Sequence, residues 1–223
     1  MPNSLAARLS AGQKALGLDL SAQQQTQLLD YLALLLKWNS AFNLSAIRDP
    51  IEALDKHILD SLSLYRFIES GKRYLDIGAG AGLPGIPLAI ICPDIAITLI
   101  DSNGKKTRFI HQAITELGLT NAVVLQTRVE QLPDNIEFDV VLARALATIS
   151  QMLSWLGHRF SAGKKLLAMK GVFPEQELSE IDKAYTVGAV QELYVPGIAG
   201  KRHLVEVLAS STNTHLNSGE ACG

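Results

Sequence analysis

Three glycines alternate directly after a short apolar run, at Gly78, Gly80 and Gly82. Glycine accepts positive φ angles and lets the backbone come close to a ligand. The helix predicted to begin at Pro84 would also offer free N–H groups and the positive end of its dipole to the same place. A strand, a tight glycine loop and a helix in this order are typical of a nucleotide or nucleoside site. The chemistry expected at this loop is therefore the binding of a cofactor.

Two classes of cofactor fit such a loop. Gly80, Gly82 and Gly85 form the G-x-G-x-x-G fingerprint of dinucleotide-binding proteins. Read from Gly78 instead, with Asp76 at the end of the strand, the loop resembles the first motif of Rossmann-like S-adenosylmethionine methyltransferases. We favour the second interpretation, because a carboxylate beside the loop suits an ammonium group of the ligand and would repel a pyrophosphate at short range.

Two further predicted strand ends supply polar groups beside the loop. Asp101 ends the second strand, where its carboxylate would accept both ribose hydroxyls of a nucleoside; the alternative is that it caps the helix from Gly104. After the third strand, a backbone N–H at Val129 or Glu130 and the Glu130 carboxylate are candidates for recognising the edge of an adenine. These residues predict the nucleoside half of the cofactor site.

The fourth strand ends at Arg144, Ala145 and Leu146. Amino-group methyltransferases typically show an Asn or Asp there, followed by two prolines and an aromatic, and this motif is absent. Enzymes that methylate a pyrimidine carbon use a cysteine nucleophile, and no cysteine lies near a predicted strand end. A target with a free lone pair, such as guanine N7, remains, so that catalysis would consist mainly of positioning. Arg144 is the candidate catalytic residue, as a donor to guanine O6; a salt bridge at the strand end is the alternative.

Hydrophobic periodicity predicts the elements that position these residues. Three helices come first, at 4–17, 21–38 and 51–69, and Ser21 with Gln24 forms a capping box. Strands are then predicted at 73–77, 95–101, 122–126, 138–143, 164–169, 187–194 and 203–208. The helices between them are predicted at 84–92, 104–117, 148–158 and 174–183. Short apolar strands that alternate with amphipathic helices indicate a mostly parallel sheet covered on both faces.

The predicted fold is thus α/β: a Rossmann-like class I S-adenosylmethionine-dependent methyltransferase, with a mostly parallel seven-stranded sheet, helices on both faces and an N-terminal helical extension. We expect the extension to cover residues 1–70 and to pack on the core. The methyltransferase domain should cover 71–209, and the polar residues 210–223 should be a disordered tail.

Composition limits the possible classes of function. The 223 residues carry 20 basic and 22 acidic side chains, so the overall charge does not by itself indicate a nucleic-acid-binding protein. The sequence has no run of about 20 apolar residues and no signal peptide, so no membrane partner is expected. Two cysteines make neither a metal set nor a disulfide framework. We therefore expect a cytoplasmic protein without a metal, acting as a monomer.

Any RNA-binding role must rest on local clusters of basic residues. They are Lys105, Lys106 and Arg108; Lys164, Lys165 and Lys170; and Lys201, Arg202 and His203. If these share the rim of one face, they form a phosphate-binding surface; otherwise they only solvate the protein. Our RNA-binding candidates are Lys105, Lys106, Lys170 and Arg202. On the third helix, His57 lies on one face with Asp60 and Ser61, and we expect it to be buried rather than catalytic.

The motifs of this chain, taken in order, are similar to those of one family, the bacterial small-subunit ribosomal RNA methyltransferase G family, also called glucose-inhibited division protein B. The resemblance extends to about Leu208. It is carried by Trp38-Asn39, Asn43-Leu44-Ser45, Ile47-Arg48-Asp49-Pro50, His57 with Asp60-Ser61-Leu62, residues 76–85, Asp101-Ser102, Lys105-Lys106, Arg144-Ala145, Lys170-Gly171 and Arg202-His203-Leu204.

The resemblance implies S-adenosylmethionine-dependent methylation of guanine N7 in the 530 loop of 16S rRNA, with the small ribosomal subunit as partner. Carried over by position, the cofactor-binding residues would be Gly78, Leu83, Asp101, Val129, Glu130 and Arg144. Ala81 departs from the family, since many members have proline there, but alanine keeps the loop small.

Three alternatives stay open at this point. An NAD(P)-dependent oxidoreductase would need a proton donor such as a Tyr and Lys pair on one helix, and none is found. A methyltransferase that acts on a non-RNA acceptor is opposed only by the lysine clusters. A non-catalytic RNA-binding module is opposed by the intact Asp76, glycine loop and Asp101.

Overall fold

The computed structural model describes residues 2–210 of the chain. Its seven strands are β1 (Arg73–Ile77), β2 (Ala96–Asp101), β3 (Ala122–Gln126), β4 (Val140–Arg144), β5 (Lys165–Lys170), β6 (Tyr185–Leu193) and β7 (Arg202–Ala209). They form one sheet in the order β3-β2-β1-β4-β5-β7-β6. Strands β1 to β5 pair in parallel, whereas β7 pairs antiparallel with β5 and β6. The predicted mostly parallel, seven-stranded sheet is confirmed, while the predicted tail lies outside the described residues except for Ser210.

Eight α-helices accompany the sheet within residues 2–210. They are α1 (Pro2–Ala15), α2 (Ala22–Phe42), α3 (Pro50–Ala53), α4 (Asp60–Leu62), α5 (Gly85–Ile91), α6 (Gly104–Glu116), α7 (Ile149–Leu156) and α8 (Glu175–Ser179). A π-helical segment spans Leu54–Leu59, and short 3₁₀ turns lie at Tyr65–Phe67, Val129–Gln131 and Gly157–Arg159. In this described part of the chain, no helix is long and apolar enough to cross a membrane.

The single helix predicted at 51–69 is wrong, because the structure divides this stretch. Asp49 caps α3 by accepting from the Glu52 N–H at 2.8 Å, and the π-helical segment follows before α4 begins. A wider π turn changes the direction in which side chains leave the helix and is often found at functional sites. The last predicted helix, 174–183, is also shorter than expected, since the Asp182 carboxylate accepts from the Ala184 N–H and forms a turn.

Apolar side chains cover both faces of the sheet. One buried cluster joins α2 and α5 to the sheet, for example through Leu28, Leu35 and Leu88. The other packs α7 on the opposite face, with Met152 and Leu156 in its centre. Removing such side chains from water contributes roughly 25 cal/mol per Å² of apolar surface. The sheet is therefore held between two layers of helices, as the alternating pattern predicted.

Helix α2 is also tied to the rest of the chain by polar contacts. It begins with the predicted capping box of Ser21 and Gln24. The Gln24 side-chain amide also donates to the carbonyls of Ile90 and Ile91, at the end of α5. Farther along α2, the buried Tyr31 hydroxyl donates to the Ala81 carbonyl at 2.5 Å, in the middle of the glycine loop. The helices before β1 thus contact the loop directly.

Candidate cofactor site

The glycine loop after β1 takes a conformation that requires glycine. Gly78, Gly80 and Gly82 have φ angles of 64°, 61° and 85°. A Cβ atom on Gly78 would lie 2.4 Å from Leu146 Cδ1, and one on Gly82 would lie 2.6 Å from Ile86 Cγ1. The backbone in this region is left-handed, which costs other residues roughly 1–2 kcal/mol. Alternating glycines therefore allow both the turn and its close packing.

Asp76 lies fully buried beneath this loop. Its Oδ2 accepts from the Gly85 N–H at 2.9 Å, at the start of α5. Its Oδ1 is buried and has no hydrogen-bond partner in the described part of the chain. Burial raises the pKa of the Asp76 carboxyl to about 7, although the Gly85 N–H and the Arg144 charge oppose the rise. Asp76 thus lies behind the glycine loop, outside the lining of the cavity described below, with one carboxyl oxygen that no described group satisfies.

Asp101 lies at the end of β2 and contacts the same loop. Its Oδ2 accepts from the Gly80 N–H at 3.0 Å and its Oδ1 from the Asn103 N–H at 2.8 Å. The Lys106 Nζ is 3.7 Å from Oδ2. Asn103, rather than Asp101, caps α6, so the alternative role considered for Asp101 is wrong. Each carboxylate oxygen has a second lone pair, and both can therefore still accept a ribose hydroxyl.

A cavity of about 280 Å³ opens at this edge of the sheet. Its lining residues come from the ends of β1, β2, β3 and β4 and from α6 and α7: Gly78, Ile100, Asp101, Ser102, Lys106, Thr127, Arg128, Val129, Glu130, Ala145, Leu146 and Trp155. Four of the proposed cofactor-binding residues are thus brought together. Val129 and Glu130 begin a 3₁₀ turn, and the first N–H groups of a helical turn have no partner within it.

The other two proposed cofactor-binding residues do not line this cavity. Leu83 is 9% exposed and belongs to the apolar core on the α2 side of the sheet. Arg144 points away from the cavity, although Ala145 and Leu146 after it form part of the wall. Sequence reasoning did not include Leu146 and Trp155 in the site. Their positions depend on the turn after β4, where Ala145 has a φ of 50°, and on the rotation of α7.

Arg144 is held by a buried polar cluster that joins β4 to the helices before β1. Its Nε lies 3.1 Å from Asp60 Oδ2, and its Nη2 donates to the Lys56 carbonyl at 2.7 Å. Asp60, which is 2% exposed, also accepts from the Arg202 Nε at 3.2 Å. The Arg144 Nη1 is buried, with no partner in the part of the chain described here. The guanidinium is therefore fixed in orientation, and none of the described residues accepts from its Nη1 group.

His57 completes this cluster. Its Nδ1 lies 3.4 Å from the Arg144 Nη2, and its Nε2 lies 2.8 Å from the Ser45 Oγ. Burial, together with the Arg144 charge, lowers the pKa of His57 to about 4, so the imidazole is neutral at pH 7. Burial likewise raises the pKa of Asp60, an effect that Arg144 and Arg202 oppose. His57 is buried, as predicted, in a position that supports Arg144.

The basic clusters divide between the two edges of the sheet. Lys164 and Lys165 are at the start of β5, the edge opposite the cavity, and Lys165 contacts Glu69 and Glu206. The clusters therefore do not all share one rim, so the condition set for a single phosphate-binding surface made by all of them is not met. The four RNA-binding candidates do lie at the cavity edge, as β7 runs antiparallel and starts there: Lys105, Lys106, Lys170 and Arg202. Lys105 is exposed, whereas the Lys170 Nζ contacts Glu177 at 2.7 Å and the Ala147 carbonyl at 2.8 Å.

The polar groups of this site fit S-adenosylmethionine. An acidic residue for ribose, a helical turn for the adenine and a buried carboxylate with an available acceptor for an ammonium group correspond to its three polar parts. Across residues 2–210, no group of three His, Cys, Asp or Glu side chains is placed to hold a metal ion.

Solved structures show the same fold. An S-adenosylmethionine-dependent methyltransferase from Aquifex aeolicus superposes with a TM-score of 0.56 at 22% identity, covering 72% of this chain and 94% of that one. A protein of the NADB-Rossmann superfamily from Streptococcus agalactiae superposes with a TM-score of 0.55 at 16% identity, covering 70% of this chain and 69% of that one. The fold and the site together define a Rossmann-like, S-adenosylmethionine-dependent methyltransferase.

Sequence comparison identifies the family. A family model described as rRNA small subunit methyltransferase G, or GidB, matches residues 24–205. The ribosomal RNA small subunit methyltransferase G of Stenotrophomonas maltophilia strain K279a is 47% identical over 207 residues, covering 93% of this chain and 96% of the relative. That of Pseudomonas aeruginosa strain LESB58 is 46% identical over 197 residues, covering 88% and 92%. The chain belongs to the rRNA small subunit methyltransferase G family, which excludes the oxidoreductase alternative.

Proposed function

We propose that this protein transfers the methyl group of S-adenosylmethionine to N7 of a guanine in the 530 loop of 16S rRNA, in the cytoplasm and as a monomer. The observation that carries the proposal is the end of β4. There Ala145 and Leu146 form part of the cavity wall, and the Arg144 guanidinium just before them is fixed outside the cavity by Asp60, with its buried Nη1 left without a partner among the described residues. A guanidinium is the side chain that pairs most often with guanine, so the geometry favours guanine as the acceptor.

The cavity residues, together with Asp76 buried behind the glycine loop, would each hold one part of the cofactor. Asp101 would accept the ribose hydroxyls, and the Val129 N–H and the Glu130 carboxylate would bind the adenine edge. Asp76 would accept from the ammonium group through its available oxygen. Gly78 would let the backbone approach closely, since it has no side chain on this wall. Leu83 would not contact the cofactor; it would only pack the loop against the core.

The transfer needs little acid–base chemistry. Bound S-adenosylmethionine supplies an electrophilic methyl group on a positively charged sulfur. Guanine N7 carries a lone pair and no proton, so it would attack that carbon without a base, and the electrons of the broken C–S bond would stay on sulfur. Arg144 would donate to guanine O6 and leave N7 free, which aligns the acceptor with the methyl group. His57, neutral and outside the cavity wall, is not needed as a base.

The RNA backbone would lie along the cavity edge. Lys105, Lys106, Lys170 and Arg202 all occupy this edge, and their charges would contact phosphates. Phosphate contacts position an RNA, while Arg144 would select the base. This division explains how a chain with a net charge of −2 can still bind RNA, since the basic residues need to be positive only locally.

The direct test is transfer of a radiolabelled methyl group to small ribosomal subunits from a strain that lacks the enzyme, followed by identification of the modified nucleoside. We expect label on N7 of a guanine in the 530 loop. Arg144→Ala should abolish transfer while calorimetry shows cofactor affinity within about threefold of wild type. Arg73→Ala, an arginine at the opposite edge of the sheet, serves as the matched control and should transfer normally.

Two other results would contradict the proposal in different ways. Label on another RNA atom would keep the class of enzyme and refute the argument for N7. Measurable cofactor binding without any label on RNA would favour one of the two remaining alternatives, a methyltransferase for a non-RNA acceptor or a non-catalytic RNA-binding module.

A further inference from the structure

Two apolar side chains stand exposed directly after β5. Val172 is 77% exposed and Phe173 is 53% exposed. Single exposed apolar residues are common, but two in succession on the functional edge of an enzyme indicate a surface that contacts something else. Neither residue contributes to the cofactor cavity.

These side chains line a groove of their own, with a volume of about 760 Å³. Its walls are formed by the residues after β5, by Glu192 near the end of β6 and by the residues around the start of β7, among them Lys201, Arg202 and His203. The Phe173 ring packs edge-on against the His203 ring, with the centroids 5.5 Å apart and the planes at 86°. His203 is 6% exposed, so it holds one side of the phenylalanine while much of that ring stays open to solvent.

Lys201 and Arg202 provide the base of the groove, which we call its cationic floor, and Gly171 and Gly200 leave the backbone there uncovered by side chains. The Arg202 Nη1 donates to the Lys201 carbonyl, and it lies within 4.0 Å of the places where Cβ atoms on Gly171 and Gly200 would be. Lys201 is paired with Glu192 at 3.0 Å, but both side chains are more than half exposed. Exposed pairs of this kind contribute little to stability, so a phosphate can replace the glutamate at little cost.

The position of the groove relative to Arg144 is fixed by the sheet. Strand β5 lies between β4 and β7, and neighbouring strands are about 4.8 Å apart. The end of β4 and the start of β7 are therefore separated by about 10 Å. A single RNA strand whose target base lies at Arg144 would bring an adjacent base and its phosphate to this groove.

We infer that the groove binds a neighbouring nucleobase of the RNA substrate, stacked on Phe173, with the adjoining phosphate at Lys201 and Arg202. Aromatic side chains beside cations are the usual means of holding unpaired bases, and single-stranded loops are the usual targets of sequence-specific RNA recognition. The inference rests on the proposed function in taking RNA as the substrate, and it adds a second base-binding site outside the cofactor cavity.

The test compares Phe173→Ala, Phe173→Leu and Phe173→Trp with wild type. Fluorescence anisotropy measures the binding of a labelled, unstructured single-stranded RNA decamer of mixed sequence, and calorimetry measures S-adenosylmethionine binding. We expect alanine to weaken RNA binding by roughly 5- to 150-fold, the range found for loss of one base–aromatic stack. Leucine should weaken it nearly as much, since it has no π face, and tryptophan should preserve it. Cofactor affinity should not change.

The matched control is Tyr65→Ala, which removes an aromatic ring that is 44% exposed and lies in the 3₁₀ turn before β1, at the opposite edge. It should bind RNA like wild type. RNA affinity unchanged in Phe173→Ala would overturn the inference, and so would full affinity in Phe173→Leu, because a general apolar contact would then suffice. Loss of binding to intact small subunits, without loss for the decamer, would indicate a protein contact and also overturn it.

The same measurements separate this inference from the proposed function. If wild-type protein methylates small subunits but its RNA binding does not depend on Phe173, only the stacking site is refuted. If the decamer binds in a manner that depends on Phe173 while small subunits are never methylated, the stacking site stands and the proposed function fails.

Discussion

Replacing Asp60 by asparagine removes the carboxylate charge that lies between Arg144 and Arg202. Asp60 is almost fully buried; its Oδ2 forms an ion pair with the Arg144 Nε at 3.1 Å, and its Oδ1 accepts from the Arg202 Nε at 3.2 Å. Asparagine has nearly the same shape, but it keeps only one oxygen and turns an amide donor towards a guanidinium. The substitution therefore tests whether this charge fixes Arg144 in position.

The expected cost follows from the burial of the three side chains. Removing one partner of a buried ion pair costs roughly 3–5 kcal/mol. The Arg144 and Arg202 side chains are 19% and 26% exposed, so water can solvate part of the positive charge that loses its partner. The remaining asparagine oxygen also preserves one hydrogen bond. We therefore expect a loss of about 2 kcal/mol in the free energy of unfolding, below the range for a fully buried pair.

The effect on catalysis should be larger than the effect on cofactor binding. Arg144 would keep its bond to the Lys56 carbonyl but lose its anchor at Nε. A displacement of about 1 Å at a positioning group can lower turnover by roughly 100-fold. We expect kcat for methyl transfer to small subunits to fall by about 10- to 100-fold, and the dissociation constant of S-adenosylmethionine to change by less than about threefold.

The assays are urea unfolding, calorimetry with S-adenosylmethionine, and methyl transfer under saturating cofactor. Asp139→Asn is the matched control, since the Asp139–Arg73 pair lies at the opposite edge and is partly exposed. It should cost less than about 1 kcal/mol and leave kcat unchanged. An Asp60→Asn protein with normal turnover and a normal unfolding midpoint would refute the role assigned to the cluster.

Three further predictions concern the cofactor loop and its edge. Gly78→Asp should lower S-adenosylmethionine affinity by more than about 100-fold in calorimetry, because a side chain there meets Leu146 and adds charge near Asp101. Gly118→Asp, which shares a φ of 64° but has open space around it, should bind normally, and equal loss in both would make backbone strain the cause. Lys170→Ala should weaken RNA binding, measured by anisotropy, more than cofactor binding, measured by calorimetry. An equal loss of both affinities would indicate that Lys170 supports the cofactor site instead. Asp76→Asn should remove a pH dependence of stability. The pKa of Asp76 is about 7 in the folded protein and about 3.9 in the unfolded chain. Protonated Asp76 therefore stabilises the fold fully below a pH of about 4, and this stabilisation is lost as the pH rises through 7. Urea midpoints of wild type should therefore fall between pH 5 and pH 8 by more than those of the variant, and parallel pH profiles would contradict this.

The sheet was predictable because its signals are local. Each strand is a short apolar run that ends at a turn former, and β1 lies at the residues predicted for it, Arg73–Ile77. Strand β6 was predicted at 187–194 but spans Tyr185–Leu193. A register shift between Val187 and Val190 interrupts the alternation from which its limits would be recognised. The helix before β1 failed as a single prediction because its π-helical turn accompanies contacts with Arg144, which lies far away in the sequence.

In the candidate site, too, the positions set by local signals were predictable and those set by distant contacts were not. Gly78, Asp101, Val129 and Glu130 each follow or end a parallel strand, so the rule that ligands bind at the carboxyl ends of such strands brings them into one cavity. Arg144 also ends a strand, but its side chain turns to Asp60 instead of the cavity. No local pattern could reveal this, because the choice depends on a carboxylate supplied by another part of the fold.

The hydrogen bond from Tyr31 to the Ala81 carbonyl couples the stability of the cofactor loop to that of helix α2. Local unfolding of α2 would release this carbonyl, and the loop would lose a buried hydrogen bond. The two segments should therefore open as one cooperative unit, and amide protons of residues 78–85 should exchange at the same rate as those in the centre of α2. Cofactor bound at the loop would then protect a helix that it does not touch.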